Sequence, residues 1–265
     1  MTGEPDKVFE IPSLAERPNV RRPFEPLAVV MPAREALELI KFEIYRRTSF
    51  HRQCVFFMTK LTTEQFEAML IERHGQTVHQ KLKSATVGIA GLGGLGSNVA
   101  VSLARIGIGK LVIADFDIVE PSNLNRQQYF VEQLGIEKVT ALTENLSKIN
   151  PYVKIEGHCL KLTSENIPEI FKHCPIIAEC FDKAEQKQII VETALNKTKS
   201  VIVAASGIGG YGKSNEILTQ KISDRLILIG DGSRGLEAGF GLMAPRVAIA
   251  AGHQANAVVE LILEN

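Results

Sequence analysis

From residue 58 onward, short apolar runs alternate with stretches in which apolar residues recur every three or four positions. The first pattern predicts buried β-strands, and the second predicts amphipathic helices. Strands joined in turn by helices favour an α/β fold, a doubly wound, mostly parallel sheet with helices on both faces. We predict strands at 86–90, 110–114, 153–158, 175–180 and 200–205, and helices at about 96–106, 138–149, 164–173 and 184–198.

Further elements are expected on either side of these units. The segment TTEQFEAMLIERHG predicts a helix that Thr62 or Thr63 caps and that ends near Gly75. The stretch VHQKLKSATV then leads into the first strand, with no predicted element of its own. Near 216–230, EILTQKI and RLILIG predict a hairpin or an antiparallel edge of the sheet. An apolar helix is predicted from about residue 244 to the end.

The chain divides near residue 58. Residues 1–57 hold six of the 11 prolines, which remove backbone donors and favour extended or irregular chain. Within this region, PAREALELIKFEIYRR predicts one helix, with Pro32 in its first turn. We therefore predict a proline-rich N-terminal extension at 1–57, whose helix is interpreted as a packing or dimer-contact element rather than a catalytic one, and a single α/β domain at 58–265.

Composition excludes several classes of function. The 30 basic and 30 acidic residues leave no net charge, so no global charge excess attracts nucleic acid. No apolar run approaches the length of a membrane span, and MTGEPDKVFEIP lacks the layout of a signal peptide. The cysteines Cys54, Cys159, Cys174 and Cys180 form no C-x-x-C pair. These features favour a reduced, cytoplasmic protein with no membrane partner. They disfavour nucleic acid as a partner, although a local basic patch stays open.

A glycine-rich turn, GLGGLGS, separates the first strand from the next helix. Gly91 allows a tight turn, Gly93 and Gly94 allow the backbone to approach a phosphate, and Gly96 allows the helix to pack against the sheet. Asp115, at the end of the second strand, is suited to bind ribose hydroxyls. This Rossmann-like pattern predicts an adenosine nucleotide but does not distinguish NAD from ATP.

Two cations follow at the phosphate end of this predicted site. Arg126 lies shortly after the second strand, and Lys138 begins the next helix. Two positive charges suit a triphosphate better than the pyrophosphate and nicotinamide of NAD. The alternatives are a structural ion pair of Arg126 with Asp117 or Glu120, and a solvated surface position for Lys138. Together, beside the glycine turn, the two residues favour ATP.

A resemblance to a known family rests on the order and spacing of four segments: GIAGLGGLGSN, ADFDIVEPSNLNRQ, GIEKVTAL followed by KINP, and AECFDKAEQK. They resemble the ThiF/MoeB/HesA adenylyltransferases of the ubiquitin-activating-enzyme-like superfamily, from about Glu72 to the C-terminus. GYGKSNE and GLMAPRVAIAAGHQAN are most similar to a second, zinc-less bacterial ThiF family. ThiF proteins adenylate the sulfur carrier protein ThiS.

The resemblance implies roles for single residues. Asp115 would bind the ribose, while Asn123, Arg126 and Lys138 would bind the triphosphate and stabilise the departing pyrophosphate. Asp117 would assist them.

Two further roles follow from the same resemblance. Asp182, after the PIIAEC strand, would hold Mg²⁺ between the phosphates; the alternative is a cap for the following helix. Arg73, in LIERHG, stands where the family places an arginine that reaches across a homodimer interface, although the usual paired-arginine spacing is missing.

Two departures from the family pattern concern cysteine. The segment LIGDGSRGLEAGFGLMAPRV contains none, so we expect no zinc site and no covalent thioester or persulfide on the enzyme. Cys180 is interpreted as a buried thiol at a strand end. Sulfur would then come from a separate donor. The glycine-rich loop Ser206–Glu216 either receives the flexible tail of the carrier or is a plain mobile connection.

The resemblance thus implies ATP- and Mg²⁺-dependent adenylation of the C-terminal Gly-Gly carboxylate of a ubiquitin-like, ThiS-like sulfur carrier, with release of pyrophosphate, in thiamine biosynthesis. One alternative is a related adenylating enzyme that acts on another carboxylate: a MoaD-like carrier, a modified tRNA base or a peptide terminus. An NAD-dependent oxidoreductase would leave Arg126, Lys138 and Asp182 unexplained. A carrier-binding scaffold without catalysis is disfavoured because the residues for phosphate and metal are present.

Overall fold

The computed structural model describes residues 61–233 and 241–264. The predicted extension at 1–57 lies outside these residues, and the domain division stays a prediction. The helices are α1 Thr63–His74, α2 Gln76–Ser84, α3 Gly94–Arg105, α4 Lys138–Ile149, α5 Ile167–Ile170, α6 Ala184–Lys197 and α7 Ala244–Glu264. The strands are β1 Thr86–Ala90, β2 Lys110–Asp115, β3 Lys154–Cys159, β4 Ile176–Glu179, β5 Val201–Ala205, β6 Leu218–Ser223 and β7 Leu226–Gly230.

The described strands form one seven-stranded sheet in the order β3-β2-β1-β4-β5-β7-β6. Every neighbouring pair is parallel except β7 and β6, which form an antiparallel hairpin at one edge. The strand order reverses direction between β1 and β4, where the chain crosses from one half of the sheet to the other. The predicted α/β, Rossmann-like fold with an antiparallel edge is confirmed.

Side chains that alternate along the strands pack into two separate hydrophobic cores, one on each face of the sheet. Val87 and Ile89 of β1 face one hydrophobic cluster, which also contains residues of α3, α4 and α7. Ala90 faces the other cluster, together with Phe171 and residues of α6. Successive strand residues point to opposite faces of the sheet, and here both alternating sets are apolar. Helices must therefore cover both faces to bury these side chains.

Two parts of the secondary structure differ from the sequence prediction. The predicted helix at 164–173 is reduced to the single turn α5, because Asn166 accepts a hydrogen bond from the Thr163 N–H in a preceding side-chain turn and Pro168 supplies no N–H donor. The stretch before β1, for which no element was predicted, contains α2. That helix is mostly polar and buries only His79 and Leu82, so its apolar signal is weak.

The other predicted boundaries agree with the structure to within a few residues. Thr62 caps α1 in a reciprocal arrangement with Gln65, and Gly75 ends the helix. In the two ranges that the structure describes, we find no helix with both the length and the apolar character needed to cross a bilayer.

Candidate functional site

A cavity of about 560 Å³ opens at the carboxyl edge of the sheet, where β1, β2, β4 and β5 end. This is the edge at which doubly wound sheets bind their ligands. Most of the predicted site residues line it: Gly91, Gly93, Gly94, Asp115, Asp117, Asn123, Arg126, Lys138 and Asp182. Residues from segments far apart in the sequence therefore meet at one place.

The glycine turn forms the part of the cavity wall between β1 and α3. Gly91 adopts φ +89°, and a Cβ there would lie 3.1 Å from the Cys180 carbonyl group, so both conformation and space require glycine. α3 begins at Gly94 after the N-cap Gly93, and no side chain in the described parts of the chain caps it. Its first N–H groups and the positive end of the helix dipole thus face the cavity, as an anion site requires.

Gly96 and Arg73 do not line the cavity. A Cβ on Gly96 would fall 1.9 Å from the carbonyl oxygen of Gly91, so Gly96 allows α3 to pack on the turn and does not approach a ligand itself. Arg73 lies exposed in the last turn of α1. Its predicted role across a dimer interface stays a prediction.

Asp115 is almost fully buried at the end of β2. Its carboxylate accepts hydrogen bonds from the Leu92 N–H at 2.6 Å and from the Asp117 N–H at 2.8 Å. Burial raises the pKa of this carboxyl group, and the nearby charge of Lys138 and the two N–H donors oppose the rise. Asp115 therefore ties the second strand to the glycine turn and presents a fixed acceptor to the cavity.

Arg126 lies over the beginning of α3, with its Cγ 3.4 Å from where a Cβ of Gly94 would stand. Its guanidinium donates to the Ser122 carbonyl at 2.9 Å and to Asn125 Oδ1 at 2.8 Å, so the alternative of an ion pair with Asp117 or Glu120 is wrong. Its Nε is buried and has no hydrogen-bond partner among the described residues. An unpartnered cationic donor beside a helix N-terminus fits a phosphate oxygen.

Lys138 is 5% exposed, which excludes the alternative of a solvated surface lysine. Its Nζ lies 2.9 Å from Oδ2 of Asp117, whose side chain is half exposed, and its backbone N–H donates to the Asp117 carbonyl. Asp117 thus holds the cation at the cavity wall. Asn123 is buried nearby, and its Oδ1 accepts from the Glu120 N–H to close a short turn.

Asp182 lies exposed in the connection between β4 and α6 and lines the cavity. The N-cap of α6 is Lys183, and no side chain caps this helix within the described ranges, so the alternative of a capping role is not observed. Among those residues we find no hydrogen bond or ion pair that engages its carboxylate. An unengaged carboxylate facing a phosphate site fits a Mg²⁺ ligand, since that ion binds through one or two carboxylates and phosphate oxygens.

Sequence reasoning missed an ion pair beneath the cavity wall, of which Lys187 lines the cavity and Glu179 does not. Glu179, at the end of β4, is fully buried, and Lys187 of α6 lies 3.0 Å from its Oε2. Lys187 also donates to the Ala205 carbonyl at 2.7 Å. The signal was a single acidic residue inside the apolar run PIIAEC, because a charge in a buried strand needs a partner.

A second missed ion pair lies beside the cavity. Arg246 and Asp231, both nearly inaccessible, join the first turn of α7 to the end of β7, and Arg246 also donates to the Gly212 carbonyl at 2.7 Å. These bonds hold the loop whose first residues, 206–209, line the cavity. Arg246 was visible in the sequence as a lone charge in the apolar segment APRVAIAAG.

The described cysteines differ in their surroundings. Cys180 lines the cavity but is 5% exposed, and burial raises the pKa of its thiol well above the usual range. Cys174 is also buried, whereas Cys159 is exposed. The interpretation of Cys180 as a buried thiol agrees with this geometry; Cys54 lies outside the described residues.

Comparison with solved structures shows the same fold in known nucleotide-binding proteins. Escherichia coli TcdA, described as a tRNA N6-threonylcarbamoyladenosine dehydratase in complex with ATP, superposes with a TM-score of 0.69 at 19% identity over 77% of this chain and 97% of that chain. E. coli MccB, also in complex with ATP, gives 0.56 at 21% identity over 71% of this chain and 59% of that chain.

Sequence comparison finds more closely related proteins. The adenylyltransferase and sulfurtransferase UBA4 of Eremothecium gossypii is 39% identical over 143 residues, which are 54% of this chain and 32% of that protein. The match thus spans about a third of the length of this relative. The model of the ThiF family matches residues 66–265, and on that match the chain belongs to the ThiF family, within the ubiquitin-activating-like superfamily.

Proposed function

We propose that this protein catalyses ATP-dependent adenylation of a carboxylate, with the C-terminal glycine of a ubiquitin-like sulfur carrier as acceptor. The observation that carries the proposal is the cavity at the carboxyl edge of the sheet. It combines a glycine turn at a helix N-terminus with the Arg126 and Lys138 cations and the Asp182 carboxylate. Membership in the ThiF family supports the same assignment.

ATP suits this cavity better than NAD. Arg126 has a buried Nε that lacks a partner within the described chain, and Lys138 adds a second cation. Two cations and a helix N-terminus match the several negative charges of a triphosphate. The ATP complexes of TcdA and MccB, which share the fold, support this choice. Asp115 would then accept hydrogen bonds from the ribose, and Asn123 would line the phosphate end.

Asp182 would hold Mg²⁺ against the phosphate oxygens. The ion supplies positive charge that offsets the charge of the triphosphate and of the leaving pyrophosphate. One carboxylate among its ligands is enough, and Asp182 would supply it at the cavity wall. The zinc-free character of the site stays a prediction.

The reaction needs no base from the protein. A carboxylate oxygen of the carrier attacks the α-phosphorus of ATP, the bond from the α-phosphorus to the bridging oxygen breaks, and pyrophosphate leaves. The products are an acyl-adenylate and pyrophosphate. The protein contributes orientation of the two substrates and stabilisation of the charge that accumulates on the phosphates, through the helix N-terminus, Arg126 and Lys138.

The loop at 206–209, which borders the cavity, would receive the Gly-Gly tail of the carrier, since glycines allow close backbone approach. The name of UBA4, an adenylyltransferase and sulfurtransferase, supports a link to sulfur transfer. The high pKa of Cys180 disfavours a covalent intermediate there, so a separate donor would attack the adenylate. Resemblance to ThiF proteins favours a ThiS-like carrier and thiamine biosynthesis.

A second candidate acceptor is the carboxylate of a modified tRNA base. The observation that favours it is the likeness to TcdA, a tRNA N6-threonylcarbamoyladenosine dehydratase, over 97% of that chain. By contrast, the sequence match to UBA4 covers only 32% of that protein. The chemistry at the α-phosphorus is the same for both acceptors, and only the surface outside the cavity would differ.

We also propose a homodimer in which Arg73 reaches the cavity of the partner. Mixing Arg73→Ala protein with Asp182→Ala protein tests this arrangement. Rescue of adenylation in the mixture is expected, because a hybrid dimer holds one complete site. Without rescue, a role for Arg73 across the interface has no support.

The deciding experiment is ATP–pyrophosphate exchange with Mg²⁺, in the presence of ThiS-like or MoaD-like carriers that end in Gly-Gly. Exchange is expected only with a carrier, and Asp182→Ala should abolish it. ATP binding without exchange on any carrier would contradict a carrier substrate, and exchange with modified tRNA would then identify the second candidate.

A further inference from the structure

Asp182 lies in a four-residue connection, Cys180–Lys183, between β4 and α6. As an exposed residue in such a connection, it depends on its backbone for a fixed position. One end of the connection is held by the Phe181 N–H, which donates to Glu179 Oε1 at 2.7 Å. At the other end, Lys187 of α6 lies within 3.2 Å of both oxygens of the same carboxylate. One buried carboxylate therefore holds both ends of the segment that carries Asp182.

The ammonium group of Lys187 is held by contacts within the protein. Its ammonium group has three N–H bonds, and the structure gives it three acceptors: the two Glu179 oxygens and the Ala205 carbonyl. Although Lys187 lines the cavity, its ammonium group is thus engaged by the protein, and we assign it no contact with a phosphate or a carboxylate of a substrate. This occupancy separates Lys187 from Arg126, which has a donor without a partner in the described chain.

The connection also packs on the glycine turn. A Cβ at Gly91 would lie 3.0 Å from the Phe181 ring and 3.1 Å from the Cys180 carbonyl oxygen. A shift of the connection would thus displace Asp182 relative to the turn that faces the phosphates. Metal sites lose affinity when the groups that orient a ligand are removed. Loss of the Glu179–Lys187 pair would therefore weaken the binding of a metal by Asp182.

We infer that the Glu179–Lys187 ion pair is a positioning device that sets the place of Asp182 for the metal that accompanies the nucleotide. The inference rests on the proposed function in assigning Asp182 to Mg²⁺. It makes Lys187 a positioning residue, which acts through Asp182 and touches no substrate.

The test measures ATP affinity by calorimetry, once with excess Mg²⁺ and once with EDTA. The ratio of the affinity with Mg²⁺ to the affinity with EDTA gives the contribution of the metal. Lys187→Met should lower this ratio about tenfold, and Lys187→Arg should restore most of it because a guanidinium can bond the same oxygens. Lys197→Met, the same substitution on the same helix but away from the cavity, should leave the ratio unchanged.

A double-mutant cycle distinguishes positioning from general damage. In an Asp182→Asn background, Lys187→Met should reduce the ratio no further, since the carboxylate through which it acts is gone. If Lys187→Met does not fold, the double variant Glu179→Gln/Lys187→Met removes both charges together and should show the same loss. A ratio that is unchanged in a folded variant, or a full further loss in the Asp182→Asn background, would overturn the inference.

The outcome is independent of the acceptor. No ATP binding by the wild-type protein would refute the proposed function itself. Metal-enhanced ATP binding without exchange on any carrier would refute only the carrier, and the ratios of the variants would still decide the role of Lys187.

Discussion

The two ends of α6 carry lysines with opposite surroundings. At its amino end, beside the 560 Å³ cavity, Lys187 is mostly buried and bonds a fully buried glutamate. At its carboxyl end, Lys197 is exposed, donates to the Ser164 carbonyl at 3.0 Å and borders a groove of about 710 Å³. This groove holds no glycine turn and none of the predicted site residues. The side chains that meet at the cavity therefore distinguish the carboxyl edge of the sheet, which carries the proposed site, from the opposite edge.

The largest expected effect is on the rate of ATP–pyrophosphate exchange, when an arginine at the cavity and an arginine away from it are each replaced by alanine. Arg126→Ala is expected to lower ATP–pyrophosphate exchange by about 10²–10³-fold, because it removes a cation preorganised for the phosphates. Arg105→Ala, at the exposed end of α3, is the matched control and should leave exchange unchanged. Equal effects of the two substitutions on the exchange rate would contradict a specific role for Arg126 at the cavity.

The two lysines of α6 provide the second test, in stability. Lys187→Met leaves Glu179 buried without its cation and should lower the free energy of unfolding by about 3 kcal/mol. Lys197→Met should change it by no more than about 0.5 kcal/mol, as is usual for exposed positions. Urea denaturation of both variants measures the difference. Similar midpoints would mean that water reaches Glu179 and replaces the lysine.

Much of this contrast was predictable from the sequence. The carboxyl ends of parallel strands share one edge, so Asp115 and Asp182 had to lie near the glycine turn once the strands were recognised. Lys138 was predicted as a site residue, but its pairing with Asp117 was not.

What escaped prediction depends on distance in three dimensions. The Glu179–Lys187 pair joins a strand to a helix, and the contact of both with the glycine turn needs the assembled sheet. The helix α2 was missed because it is short and mostly polar, with only His79 and Leu82 buried. Tertiary packing therefore decides which residues form an ion pair and whether a short polar helix forms. The local sequence pattern does not encode this packing.

Two glycines with positive φ refine the comparison further. Gly91 and Gly75 have φ of +89° and +84°, but nothing lies within 4 Å of a Cβ at Gly75. Each substitution by alanine should cost about 1–3 kcal/mol of conformational strain. Only Gly91→Ala adds a contact with the connection that carries Asp182, so it alone should also weaken ATP binding. Calorimetric ATP titration of both folded variants makes the comparison, and weakened binding by Gly75→Ala would contradict it.

The smallest expected effect concerns cysteine reactivity at the two ends of β4. Cys174 precedes the strand and Cys180 follows it; burial raises the pKa of Cys174 to about 12 and also raises the pKa of Cys180 well above its usual range. Burial and the neighbouring Glu137 also raise the pKa of Cys159, so the expected difference comes from accessibility. Among the three cysteines that the structure describes, the exposed Cys159 should be alkylated first at pH 8, and the two buried thiols should resist. Mass spectrometry of each peptide over time measures the order. If Cys180 reacted as fast as Cys159, a thiolate would be accessible in the cavity, and a covalent intermediate with the carrier would again have to be considered.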